Sequence, residues 1–180
     1  MKNAFILLMF VQSVFCVAQS KIITRSGTII FEASVPAFEE VKAKNEAVTC
    51  VLRPSTGEIA CLALVKGFRF KVALMEEHFN ENYAESNTYK KTTFRGKIED
   101  FDYRSVSENA QEYVLTGKLD FHGKTNDVKT TASIKKVADG IQIVTNFSLL
   151  ATDYDVKIPS LVKNKLTNKV NLKCEFVFKK

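Results

Sequence analysis

Hydrophobic and polar positions alternate with a period of two along most of the chain. Near the C-terminus, Val170, Leu172, Cys174, Phe176 and Phe178 interleave with Asn171, Lys173, Glu175, Val177 and Lys179. In an extended strand such alternation puts the two sets on opposite faces, with the apolar set facing the core. Ile141, Ile143, Thr145, Phe147 and Leu149 repeat the pattern, as do Tyr113, Leu115, Gly117, Leu119 and Phe121. Phe68, Phe70 and Val72 alternate with Arg69 and Lys71, and Phe94, Gly96 and Ile98 with Arg95 and Lys97. Shorter runs over 28–35, 48–52, 59–65 and 128–134 bring the total to about eight predicted strands. Turn-forming clusters separate them: Pro54-Ser55-Thr56-Gly57, Ser107-Glu108-Asn109, His122-Gly123 and Asp139-Gly140.

Strands with one apolar face pair best antiparallel, with the other face in water. This pattern predicts an all-β fold, an eight-stranded antiparallel up-and-down barrel whose interior holds side chains or one ligand. A two-sheet sandwich is the structural alternative. Two segments break the rhythm. Met75, Phe79 and Tyr83 recur every fourth residue within 74–86 and share one helical face, and residues 158–166 have helical apolar spacing with Pro159 near the start. These predict one or two short helices acting as lids on the barrel. No internal repeat and no linker divides the chain, so residues 19–180 are expected to form one domain.

Composition sharpens this picture in two places. Of 180 residues, 46% are hydrophobic and 26% charged, a globular balance, and 14 are Phe while none is Trp. The first eighteen residues carry one charge, Lys2, then an apolar run from Ala4 to Val11, then small residues at Cys16 and Ala18. This is the make-up of a signal peptide cut near Ala18, which predicts a periplasmic or secreted protein. Removing Lys2 with no acid takes the formal charge from +6 to +5. The basic residues are dispersed, whereas a nucleic-acid footprint is clustered, so nucleic acid is not an expected partner. Weak attraction to anionic lipid surfaces is compatible with the charge.

The residues also carry a resemblance. Gly67-Phe68-Arg69-Phe70, then the block from Ala73 to Tyr83 with its Glu76-Glu77-His78-Phe79-Asn80, then Thr93-Phe94-Arg95-Gly96-Lys97-Ile98, resemble the YceI-like family. The likeness is strongest to short secreted members of Bacteroidetes. Leu115-Thr116-Gly117-Lys118-Leu119, Phe121-His122-Gly123-Lys124-Thr125, Asp153-Tyr154 and Ile158-Pro159 extend the resemblance over essentially the whole mature chain. It implies a lipocalin-like eight-stranded barrel whose interior binds a polyisoprenoid or similar amphiphilic lipid, with no cofactor and no catalysis.

The alternation nominates Phe68, Phe70, Phe94, Ile98, Leu115, Leu119, Phe121, Ile143, Phe147 and Phe176 as inward residues, together with Val72, Leu149 and Leu172. They form either a filled core or the wall of an apolar tunnel, and alternation alone does not separate the two. Met75, Phe79 and Tyr83 are placed to cap one mouth, either as a docked helix or against a ligand. Gly96 and Gly117 fall at inward positions, which marks close backbone approach or room for a ligand. Arg69, Arg95 and Lys97 are candidates for an anionic headgroup but point outward on the alternation. His78 and His122 are the only histidines and sit in no metal-binding spacing, so no metal is expected. Three readings follow: a lipid-binding barrel, a packed barrel acting through its outer face, or an enzyme using His122, Tyr83 or Cys174.

The cysteines allow one register argument. If Pro54 to Gly57 forms a four-residue loop with Gly57 left-handed, Arg53 faces Glu58 and Cys50 faces Cys61. Counting from a hydrogen-bonded Arg53/Glu58 pair puts Cys50 and Cys61 on a narrow rung, within disulfide reach. A Cys50–Cys61 bridge is therefore expected in an oxidising compartment, with Cys174 a buried apolar thiol.

Overall fold

The computed structural model describes residues 20–34, 40–158 and 166–179. The signal segment 1–18 and most of the expected second helix (159–165) lie outside the described residues. Nine strands form one antiparallel sheet: β1 (Ile22–Ser34), β2 (Lys42–Leu52), β3 (Glu58–Leu64), β4 (Arg69–Phe70), β5 (Lys91–Ile98), β6 (Gln111–Phe121), β7 (Lys124–Val137), β8 (Gly140–Leu150) and β9 (Leu166–Lys179). The sheet runs β1-β9-β8-β7-β6-β5-β3-β2 and closes through a second pairing, β1 with β2. Eight strands thus make a closed barrel. The two-residue β4 sits beside the upper part of β2, pairing Ala43 with Phe70 and Lys44 with Arg69. The sandwich alternative does not hold.

Antiparallel order gives the barrel two different ends. Connections 53–57, 99–110 and 138–139 close one end, here the floor. The longer connections, β3 to β5 and β8 to β9, lie with the β6–β7 turn at the opposite end, the mouth. The floor is packed solid. Val48, Leu52, Ile98, Ile134, Ile141 and Phe178 are all buried there, and Phe101, Tyr103 and Val106 from the 99–110 connection pack against them.

The β2–β3 hairpin follows the register expected from its turn. Gly57 has φ +72, the Gly57 amide donates to the Arg53 carbonyl at 2.9 Å, and the Arg53 amide donates to the Glu58 carbonyl at 2.9 Å. The pairs then run Leu52↔Ile59, Val51↔Ala60, Cys50↔Cys61. Cys50 and Cys61 are disulfide-bonded, with Cα atoms 4.1 Å apart.

Several strands are longer than their apolar alternation. β2 begins at Lys42, not Val48, because its first half faces inward with Ala43 and Asn45 instead of large hydrophobes. Asn45 is buried without an orphaned polar group: its Nδ2 donates to the Leu64 carbonyl at 3.0 Å, and the Ala47 amide donates to its Oδ1 at 3.0 Å. The strand expected over 68–72 is largely absent. Phe68 follows a 3-10 turn at Val65–Gly67, and only Arg69–Phe70 pair. At Gly67 a Cβ would lie 2.6 Å from Asn45 Nδ2, so the turn needs a residue without one.

The helical segment is also shorter and less regular than its four-residue spacing suggests. An α-helix, α1, covers Ala73–His78, and the chain then widens into a π-turn over Phe79–Tyr83, where the Ala84 amide donates to the Phe79 carbonyl at 2.8 Å. Glu76 fixes the start of this segment to β4. Its carboxylate accepts from the Phe70 amide at 3.1 Å and from the Arg69 guanidinium.

Candidate functional site

The barrel interior is not filled. A cavity of about 610 Å³ runs from the mouth down into the barrel. With the single exception of Ile98, every predicted site residue lines it: Phe68, Phe70, Met75, Phe79, Tyr83, Phe94, Leu115, Leu119, Phe121, Ile143, Phe147 and Phe176. Ile98 lies below the cavity in the packed floor, fully buried, because it ends β5 where the 99–110 connection folds under the barrel. Val72, Leu149 and Leu172 are also on the wall.

Further wall residues escape the list drawn from the sequence. Ile29, Phe31 and Ala33 come from β1, and Val41 immediately precedes β2. The alternation of Ile29, Phe31 and Ala33 was the available signal. Val128, Thr130 and Thr145 come from β7 and β8. Ala151 and Val156 come from a 3-10 turn at Ala151–Tyr154 and the residues after it, a strap whose inward face has no period to read.

Two glycines shape the wall, though not by leaving space for a ligand. At Gly117 a Cβ would lie 2.6 Å from the tip of the Phe94 ring and 2.5 Å from the Arg95 carbonyl oxygen. At Gly96 it would lie 2.7 Å from the same ring atom and inside contact distance of the Thr116 carbonyl oxygen. Phe94 therefore lies down over the Gly96–Gly117 rung and takes up the room the two missing side chains leave. Phe176 does the same over Gly27, where a Cβ would lie 2.6 Å from the ring.

At the mouth an aromatic cluster holds the α1 segment down. Phe79 sits 5.3 Å from Phe31 and 5.2 Å from Phe70, centroid to centroid, and Phe31 sits 5.3 Å from Phe68. Tilted pairs at such spacing are each worth about 0.5–1.5 kcal/mol beyond area burial. Across the mouth, the buried Tyr154 and Val156 of the strap pack with Tyr83, Leu119 and Phe121. The strap is tied to the β6–β7 hairpin by three side chains. His122 Nδ1 donates to the Tyr154 carbonyl at 2.9 Å, Asn126 Nδ2 donates to the Asp153 carbonyl at 2.7 Å, and Lys124 Nζ pairs with Asp155 Oδ2 at 2.8 Å. Because a carbonyl only accepts, the His122 proton is placed on Nδ1. The ring packs at a tilt against Tyr89, centroids 4.4 Å apart, while Nε2 is buried and without a hydrogen-bond partner, with Glu85 Oε1 3.8 Å away.

The wall is electrically plain. No Lys, Arg, Asp or Glu lines the cavity among the described residues. Its polar atoms are the threonine hydroxyls, Tyr83 and His78, and the deeper hydroxyls are already engaged. Thr145 Oγ1 donates to the Thr131 carbonyl at 2.9 Å and Thr130 Oγ1 to the Asn146 carbonyl at 3.2 Å, while nearer the mouth Thr92 Oγ1 donates to the Asp120 carbonyl at 2.7 Å. Burial raises the Tyr83 phenol above its usual range. The thiol of Cys174, also on the wall, is pushed up to about 12 by desolvation. Arg95 and Lys97 point to solvent, and Arg69 is taken by Glu76, so none of the three reaches the interior. Among the described residues, no cluster of His, Cys, Asp and Glu is arranged to hold a metal.

The site is thus a cavity without charged side chains inside a closed eight-stranded barrel, under a short helical segment. The YceI-like domain family model matches residues 21–178. The chain belongs to the YceI-like family. The search of curated proteins found no match. Among solved structures, this family member is similar to a polyisoprenoid binding domain from Saccharophagus degradans implicated in plant cell wall breakdown, at 13% identity and TM-score 0.75, over 88% of this chain and 97% of that one. It is similar to Burkholderia cenocepacia BcnA at 13% identity and TM-score 0.67, over 82% and 94%. It is similar to the Campylobacter jejuni YCEI protein at 18% identity and TM-score 0.63, over 79% and 87%. At such identities the likeness establishes a shared barrel.

Proposed function

We propose that this YceI-like protein binds one amphiphilic lipid, a polyisoprenoid or similar chain, with the chain in the barrel and the polar head at the mouth. The observation that carries this reading is the cavity of about 610 Å³ with its uncharged, largely aliphatic and aromatic wall. Burying each methylene there contributes about 0.8 kcal/mol, so a chain supplies the affinity without a strong polar anchor. The polyisoprenoid-binding description of the Saccharophagus degradans domain supports the same class of ligand. An open interior argues against a barrel that works only through its outer face.

Binding rather than catalysis also fits the three groups that an enzyme would use. The Cys174 thiol is held protonated by burial, the reverse of an activated thiolate. His122 is spent on the strap, and the raised Tyr83 phenol stays protonated at neutral pH. Export after cleavage near Ala18 completes the proposal, and the Cys50–Cys61 bridge is in keeping with an oxidising compartment.

The test is mass spectrometry of the purified mature protein under native and denaturing conditions, followed by analysis of its organic extract. A lipid of defined mass released at near-unit stoichiometry is the expected result. Leu119→Arg, which sets a charge on the wall, should fold and lose that lipid. A protein that carries no lipid and takes up no added isoprenoid or fatty amphiphile refutes the reading.

A further inference from the structure

We propose that the cavity is a blind pocket that measures chain length, admitting at most about twenty carbons of an uncharged chain through the mouth and stopping it at a floor built by Phe94 and Phe176. This deepens the lipid-binding reading above and rests on it.

Three observations carry the proposal. The first is that the pocket has one open end. Ile59, Leu115, Ile143 and Phe176 are on its wall, whereas Leu52, Ile98 and Ile134, the cross-strand partners of the first three, and Phe178, two residues past Phe176, are fully or almost fully buried and off it. The 99–110 connection then packs under this layer. A chain entering at the mouth cannot leave through the opposite end.

The second is that the floor rings are seated on backbone. Phe176 lies on Gly27 and Phe94 on the paired Gly96 and Gly117. A ring with a strand behind it cannot swing back to admit more chain. The third is the volume. A cavity of about 610 Å³, divided by the roughly 30 Å³ that a water, or a methylene of similar size, takes in a liquid, gives about twenty carbons. The wall offers no charged group and its deep hydroxyls are committed to backbone carbonyls, so a head drawn inside would lose its water without a partner. The head therefore stays at the mouth, where Tyr83, His78 and Thr167 are found.

Prenyl and linear primary alcohols spanning about 10 to 40 carbons test this, each titrated against the full mature protein with the bound complex counted by native mass spectrometry. Affinity should climb about fourfold per added methylene, the equivalent of 0.8 kcal/mol, and level off by about twenty carbons. Phe176→Ala removes the floor ring and should move the plateau to longer chains by up to about six carbons. Val128→Phe adds bulk to the wall and should move it shorter by about four carbons, so the proposal stands testable even where the first variant fails to fold. Affinity that keeps rising well past twenty carbons, or a plateau that neither variant moves, overturns the length limit and leaves lipid binding intact. Failure of every alcohol to bind overturns the parent reading as well.

Discussion

Gly96→Ala tests whether the closed wall depends on the missing side chain. The added methyl would fall inside contact distance of the Thr116 carbonyl oxygen and 2.7 Å from the tip of the Phe94 ring. The ring is the mobile partner, but the carbonyl belongs to β6, which pairs with β5 from Thr93↔Asp120 through Ile98↔Leu115. Relief requires the two strands to part at the Gly96↔Gly117 rung. Overpacking of this kind costs about 1–3 kcal/mol, and a ladder hydrogen bond lengthened beside it about 1 more, so the sum is roughly 2–4 kcal/mol. At about 2–4 °C per kcal/mol for a chain of this size, the melting temperature should fall by roughly 4–16 °C. Far-ultraviolet circular dichroism during heating and urea titration gives both numbers. The companion variant, Gly96→Ala with Phe94→Leu, clears the ring but not the carbonyl, and should recover less than half of the loss. A single Gly96→Ala within 0.5 kcal/mol of the wild type would refute the geometric argument. Full recovery in the double variant would transfer the cause from the backbone to the ring.

Other expectations follow from the same geometry. Thiol counting with an aromatic disulfide on the mature protein, which lacks Cys16, should find no reactive group in the native state and one, Cys174, after unreduced denaturation; three would refute the Cys50–Cys61 bridge. Because burial raises the Cys174 thiol from an ordinary 9.0 to about 12, its protonated form adds stability that is complete below about pH 9 and is lost as pH rises toward 12. Cys174→Val should flatten that alkaline loss, and an unchanged difference between wild type and variant from pH 8 to 12 would count against it. His122→Ala removes the donor to the Tyr154 carbonyl. Leaving that buried carbonyl unpaired costs about 1–3 kcal/mol, so amide exchange across 151–156 should speed up roughly five- to hundredfold while the β6–β7 ladder keeps its protection.

Most of the barrel is legible in the order of residues because a strand's two faces separate in sequence as they do in space. Tyr113 to Phe121 and Ile141 to Leu149 read directly as wall, and the hairpin arithmetic at Pro54–Gly57 places Cys50 opposite Cys61. The pattern fails where the interior is small or polar. Ala43 and Asn45 hide the first half of β2, since neither advertises burial, and Asn45 is tolerated only through its bonds to Leu64 and Ala47. It fails again at the strap, where Ala151 and Val156 are brought to the wall by His122, Asn126 and Lys124 acting across about 27–32 residues of chain. The α1 segment is intermediate. Its four-residue spacing marks the right inward residues, but Glu76 ties its first turn to β4 and the chain widens into a π-turn before Tyr83. Whether the interior is open or filled is not written in alternation at all, because a wall and a core need the same apolar face. The answer depends on rings lying over Gly27, Gly96 and Gly117, a property of distant pairs.

The closure of β1 onto β2 has a consequence for how such chains diverge. A ring of eight strands leaves almost no free edge, and the stretch of β2 that β3 does not reach is already paired by β4, so its circumference is fixed by count and stagger. Novelty must then come from swapping volumes on the inner face or rebuilding the covers at the mouth. Outward positions need only suit water, and inward ones need only sum to the right bulk. Such a frame permits lineages to drift to 13–18% identity while superimposing at TM-scores of 0.63–0.75. Within this fold, the side chains of the inner face are the trait most free to change and the architecture the one least so.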